Sequence, residues 1–189
     1  MEKSKNSSVW TEAGYEIFAA EGLDGIQVER LARILALNKS GFYHYFGDLE
    51  GYCDELINLH KSKADLYLAE VATINAIDPD YFNVIVKHRI PVLFHLQLIR
   101  SQNNIMFYKT AEKIDEQEGI LIGELWNDYL GFRDHALAMR YFAIVRDMLY
   151  ARLSFRNLTF PGLRDLMTEA KAVMQQITKN DAHAEVWSP

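Results

Sequence analysis

The chain has one cysteine, Cys53, in 189 residues, which excludes an internal disulfide framework and fits a reducing compartment. Placed on the apolar side of a helical pattern, Cys53 reads as a small buried residue rather than a redox sensor. Prolines number four and glycines ten, with no Gly/Pro/Ser-rich stretch and no internal repeat, so neither a flexible linker nor a turn-rich all-β chain is expected. No alternating apolar and polar run marks a strand. The longest apolar run, Ile90–Ile99, is broken by His95 and Gln97 and is too short for a bilayer. No N-terminal apolar stretch precedes a small-residue cleavage site, so the expectation is a soluble, cytoplasmic protein without a membrane partner.

Catalytic signatures are missing as well. There is no Gly-rich phosphate loop, no serine nucleophile elbow and no Cys/His metal spacing, so no catalytic residue, cofactor or metal is expected. The six histidines are scattered; His88 and His95, seven apart on either side of Pro91, are not read as a metal pair. Glu112, Asp115, Glu116 and Glu118 read as a solvated corner. Positive charge is scarce too. The formal net charge is −6, and the first sixty residues hold five Lys/Arg against ten Asp/Glu. A generic nucleic-acid binder is thereby excluded, and any DNA contact must depend on local rather than net charge.

What is present is apolar content, 49% hydrophobic and 12% aromatic, ample for a core. Apolar residues recur at three- and four-residue spacing almost throughout, which predicts an all-α chain. The first helix runs from Val9 to Ala20 after a frayed polar start, with Gly14 admitting a close neighbour and Gly22 ending it. A fourth helix, capped by Asp48, extends to about Ala76, with His60 and Lys63 breaking its stripe where it crosses solvent. Asp78-Pro79 reads as a helix start and Pro91 as a kink. Segments 104–114 and 118–130 follow, then two long helices over 134–155 and 161–177, and a polar tail, 179–189.

The stretch from Val28 to Tyr52 carries the most information. Val28, Leu31, Ala32 and Leu35 form one buried face of a short helix; Leu37-Asn38 interrupts the pattern, and Asn38 caps a second helix from Lys39. On that helix Phe42, Tyr45 and Phe46 share a packing face, while Ser40, Gly41, Tyr43 and His44 point away. A small, hydrogen-bonding outer face on the second of two such helices is what a helix-turn-helix presents to a major groove. Between Arg30 and Gly47 there is no Asp or Glu, a local basic island in an acidic chain.

At these residues the sequence resembles the TetR family of one-component transcriptional regulators. The resemblance covers roughly residues 9 to 56: Trp10, Gly14, Phe18 and Gly22, then Val28, Leu31-Ala32, the turn Ala36-Leu37-Asn38-Lys39, and the run Gly41-Phe42-Tyr43-His44-Tyr45-Phe46. Four positions depart from the family pattern: Gln27 replaces a capping Ser or Thr, Ala36 a turn Gly, Gly41 a small hydroxyl residue, and Leu49 a phosphate-binding Lys. The resemblance implies a three-helix DNA-binding domain over residues 1–47 and a larger helical effector-binding and dimerisation domain over 48–189. It implies base or groove-wall contacts from Lys39, Ser40, Gly41 and His44, and phosphate contacts from Gln27, Tyr43 and Tyr45.

It further implies a homodimeric repressor on a pseudo-palindromic double-stranded operator, released by a small-molecule effector. Phe94, His95, Phe107, Tyr108, Trp126 and Tyr129 are candidates for the effector pocket, being aromatic with a few polar groups. Tyr141, Met148, Leu163, Leu166, Met167, Ala170 and Met174, on the last two helices, are candidates for the dimer interface. An alternative keeps the fold and drops the operator: a helical dimer whose degenerate helix-turn-helix serves as an interaction or sensor surface.

Overall fold

The computed structural model describes residues 2–101, 103–131 and 135–184, the side chains of residues 2–6, 135, 137, 138 and 174–184 excepted. Nine α-helices and no strand occur among the described residues: α1 (Glu2–Glu21), α2 (Val28–Leu35), α3 (Lys39–Phe46), α4 (Leu49–Val71), α5 (Phe82–Lys87), α6 (Arg89–Arg100), α7 (Ile105–Leu130), α8 (His135–Arg152) and α9 (Phe160–Ala184). None of them is long and apolar enough to cross a membrane. The all-α expectation therefore holds. The chain forms two compact units, Met1–Thr73 with Lys87–Leu121 and Ile74–Val86 with Ile122–Pro189.

In the first unit, Trp10, Tyr15 and Phe18 of α1 are fully buried together with Phe42 of α3 and Tyr52 of α4. Gly14 has a steric reason: a Cβ there would lie 1.8 Å from the Tyr52 hydroxyl oxygen, which donates to the Trp10 carbonyl at 2.6 Å. The polar segment before Val9, expected to fray, is helical from Glu2, since extending an anchored helix adds one hydrogen bond per residue ordered. Asp48 caps α4 as expected, accepting from the Gly51 N–H at 2.8 Å. The helix stops at Val71 rather than Ala76, where the Thr73 hydroxyl and the Ala72 N–H take the carbonyls of Glu70 and Leu68.

His60 is not at a solvent crossing. It is 2% exposed, stacked on Phe94 with centroids 4.6 Å apart, and bonded through Nδ1 to the Tyr15 hydroxyl at 2.8 Å. The expected solvated corner is also partly buried. Asp115 pairs with His95 Nε2 at 2.9 Å, and Glu118, 7% exposed, accepts from the Tyr67 hydroxyl. With its acids held by α4 and α6, the backbone stays helical, and the two expected segments are one helix, α7. Pro91 is the third residue of α6, so its missing N–H falls in the first turn, and the break lies at His88 instead.

In the second unit Asp78 is extended (φ −114°, ψ 116°) and bound by the Arg164 guanidinium at 2.7 and 2.9 Å, and residues 79–81 form a π-helical turn that runs into α5 at Phe82, so the chain turns helical at Asp78-Pro79 as the sequence predicts. Trp126, 2% exposed, packs on Phe142 at 5.2 Å, and the Tyr141 hydroxyl donates to the Ala170 carbonyl at 2.6 Å.

Candidate nucleic-acid interface

Two short helices hold each other here because their inner faces are apolar and their junction is capped from both sides. Leu31 and Phe42 are fully buried, and Phe42 sits in an aromatic cage of Trp10, Phe46 and Tyr52 with centroids 4.9 to 5.6 Å away. Gln27 occupies the N-cap position of α2 in extended conformation without a side-chain capping bond. At the other end Ala36 takes the left-handed conformation (φ 52°, ψ 39°), and the Leu37 N–H closes the helix on the Ala32 carbonyl at 2.9 Å. Asn38 then starts α3, its side chain accepting from the Ser40 N–H at 3.1 Å as the sequence predicts.

This construction fixes what α3 shows to solvent. Lys39, Ser40, Tyr43 and His44 are exposed, Tyr43 by 52%, while Gly41 and Tyr45 are half-buried; Gln27 is exposed at the start of α2. Six of the seven predicted site residues thus lie on α3 and Gln27 at the start of α2, with Ile34, Leu37 and Leu49 as exposed apolar neighbours in sequence. The basic island is weaker than the sequence implied. Arg30 is held by both carboxylate oxygens of Glu21 at 2.5 and 2.6 Å, and Lys39 by Glu29 at 3.0 Å. These hydrogen bonds hold the Glu21 and Glu29 carboxyls below the ordinary carboxylate range. Arg33 is exposed and makes no ion pair among the described residues.

The candidate effector residues are divided between the two units. Phe94, His95, Phe107 and Tyr108 belong to the first unit, Trp126 and Tyr129 to the second. Phe94 and Phe107 are core, Phe94 stacked on Tyr15 at 4.2 Å and Phe107 edge-on to Phe18 at 5.5 Å; Tyr108 is 48% exposed. Trp126 is core in its own unit, and the Tyr129 ring lies 4.5 Å from the Lys171 ammonium. What the sequence reading missed is the buried polar chain Tyr15–His60 and His95–Asp115, whose two imidazole rings lie 5.7 Å apart. Its only sequence signal was the break that His60 makes in the α4 stripe. His88, for its part, bonds Glu70 at 2.9 Å. Among the described residues no group of three or more His, Cys, Asp or Glu is placed to hold a metal.

The interface candidates on α8 and α9 differ in exposure. Leu163, Leu166, Met167 and Ala170 are buried at 1 to 8% exposure within the single chain, so their stripe closes the protomer's own core. Tyr141 and Met148 of α8 are half-buried, and the Met174 side chain lies outside the described residues. Among the described side chains, the large apolar residues left exposed on these helices are Ile144 (64%) and Val173 (51%).

Comparison with curated proteins and with solved structures gives no match. Residues 11–51, from the middle of α1 through the first turn of α4, match the family model described as bacterial regulatory proteins, tetR family, which supports a TetR-family transcriptional regulator.

Proposed function

We propose that the chain is a cytoplasmic homodimeric repressor that reads a pseudo-palindromic operator through α3 and releases it when a small molecule binds. The observation that carries this reading is the exposed face of Lys39, Ser40, Tyr43 and His44 on a helix whose opposite face, through Phe42, is locked into an aromatic core. In this reading Lys39, Ser40, Gly41 and His44 meet base edges or the groove wall, and Gln27, Tyr43 and Tyr45 meet phosphate. Two-fold symmetry sets the two α3 helices about 34–36 Å apart, one turn of duplex. Linkage requires the effector to bind the DNA complex more weakly by the same factor as it weakens operator binding.

A second reading, a helical sensor or interaction protein without an operator, is favoured by the pairing of Arg30 and Lys39 with acids in the free chain. One experiment separates the two. Purified protein is selected against random duplex DNA at low salt, with Tyr43→Ala in parallel. The repressor reading expects a palindrome with one-turn half-site spacing, lost in the variant. Absence of enrichment, or enrichment indifferent to Tyr43, selects the second reading.

A further inference from the structure

A glycine inside a helix weakens it, because it has more backbone freedom to lose than any other residue. Several other glycines in this chain have local reasons. A Cβ at Gly51 would fall 2.3 Å from the Phe46 carbonyl oxygen, one at Gly14 would fall on Tyr52, and Gly47 turns at φ 78°. Gly41 has no such reason. Its backbone is helical, and a Cβ there would meet nothing nearer than the Tyr45 ring at 3.9 Å, an ordinary van der Waals contact. The free protein would fold at least as well with alanine at this position.

Gly41 lies in the first turn of α3, next to exposed Ser40 and about one turn before exposed His44. We propose that Gly41 is the point at which α3 comes closest to the duplex: the missing side chain lets the helix backbone seat against the groove wall, and a methyl group there would hold the helix off. This rests on the operator-binding reading above and names the residue that sets the depth of insertion. The surroundings make depth matter. Ser40 is too short to reach a base edge from a raised helix, and Lys39, tied to Glu29, offers little longer-range attraction to compensate. With Arg30 and Lys39 both paired to acids, close contact takes over what phosphate attraction supplies in more basic proteins.

The test uses the full-length protein and the duplex enriched by the wild type. Gly41→Ala and Gly41→Ser are compared with wild type by thermal melting and by titration onto that duplex, with Tyr43→Ala as the control for specific binding. Gly41→Ala is expected to melt at or above the wild-type temperature and to bind at least tenfold more weakly; Gly41→Ser is expected to lose at least as much, since the loss is steric. Wild-type affinity in Gly41→Ala, or tighter binding by Gly41→Ser, overturns the inference while leaving the operator reading intact. A lower melting temperature for Gly41→Ala also overturns it, because the fold itself would then require the glycine. If the wild type enriches no duplex, the operator reading fails first and this inference with it.

Discussion

His60 shows how a polar residue on an apolar helix stripe can mislead. Imidazole has two flat apolar faces and two ring nitrogens, so it can stack on Phe94 and bond the Tyr15 hydroxyl without meeting solvent. Burial, and secondarily the facing His95 ring, hold its pKa well below the ordinary histidine value of 6.5. Around it lie the Tyr15 hydroxyl from α1, with Lys63 of α4 over the Tyr15 ring at 5.3 Å, and His95 of α6 with its Asp115 partner. The unfolded chain takes up a proton at residue 60 near pH 6.5 and the folded chain does not. Stability from this group is therefore complete above pH 6.5 and is lost as pH falls below it, by at most about 1.4 kcal/mol per pH unit. Urea midpoints at pH 7.5, 6.5 and 5.5 should fall in the wild type and fall less in His60→Gln, which keeps an acceptor for Tyr15. Parallel curves would show that residue 60 does not titrate between the folded and unfolded states.

At the scale of an element, the helix-turn-helix was legible because its signals are local. The Asn38 cap acts on Ser40, the aromatic run alternates within eight residues, and Asp48 acts on Gly51. Helix α7 was not legible, because what keeps its acidic middle helical comes from far along the chain: His95 holds Asp115 and Tyr67 holds Glu118. The turn between α2 and α3 carries a local conflict that the family resemblance exposed. Ala36 sits at φ 52°, a left-handed conformation that costs a residue with a Cβ about 1–2 kcal/mol, and its side chain is exposed. Ala36→Gly removes that strain at the expense of some unfolded-state entropy. A net gain of about 1 kcal/mol is expected, raising the melting temperature by roughly 2–4 °C for a chain of this size. An unchanged or lower melting temperature would show that the turn relaxes around alanine.

At the scale of the whole molecule, the apolar interface candidates on α9 are legible in the sequence as a buried face, but such a face records only that it is buried, not by what. The structure answers with the same chain: Leu163, Leu166, Met167 and Ala170 close the core of the second unit. Periodicity alone has no means of separating these cases, since both need the same apolar face. Exposure separates them. If α8 and α9 do join two copies, the residues at the joint are those left bare, and among the described side chains Ile144 and Val173 are the large apolar ones. Ile144→Glu or Val173→Glu should then give monomers in sedimentation velocity with an unchanged melting profile of the monomer, and should weaken operator binding at least tenfold. Leu166→Glu should behave differently, losing about 2–5 kcal/mol of stability because it places a charge where a core side chain is removed. Dimers that persist in both surface variants would move the joint away from α8 and α9, and the spacing of the two α3 helices would then have to be set by another pair of elements.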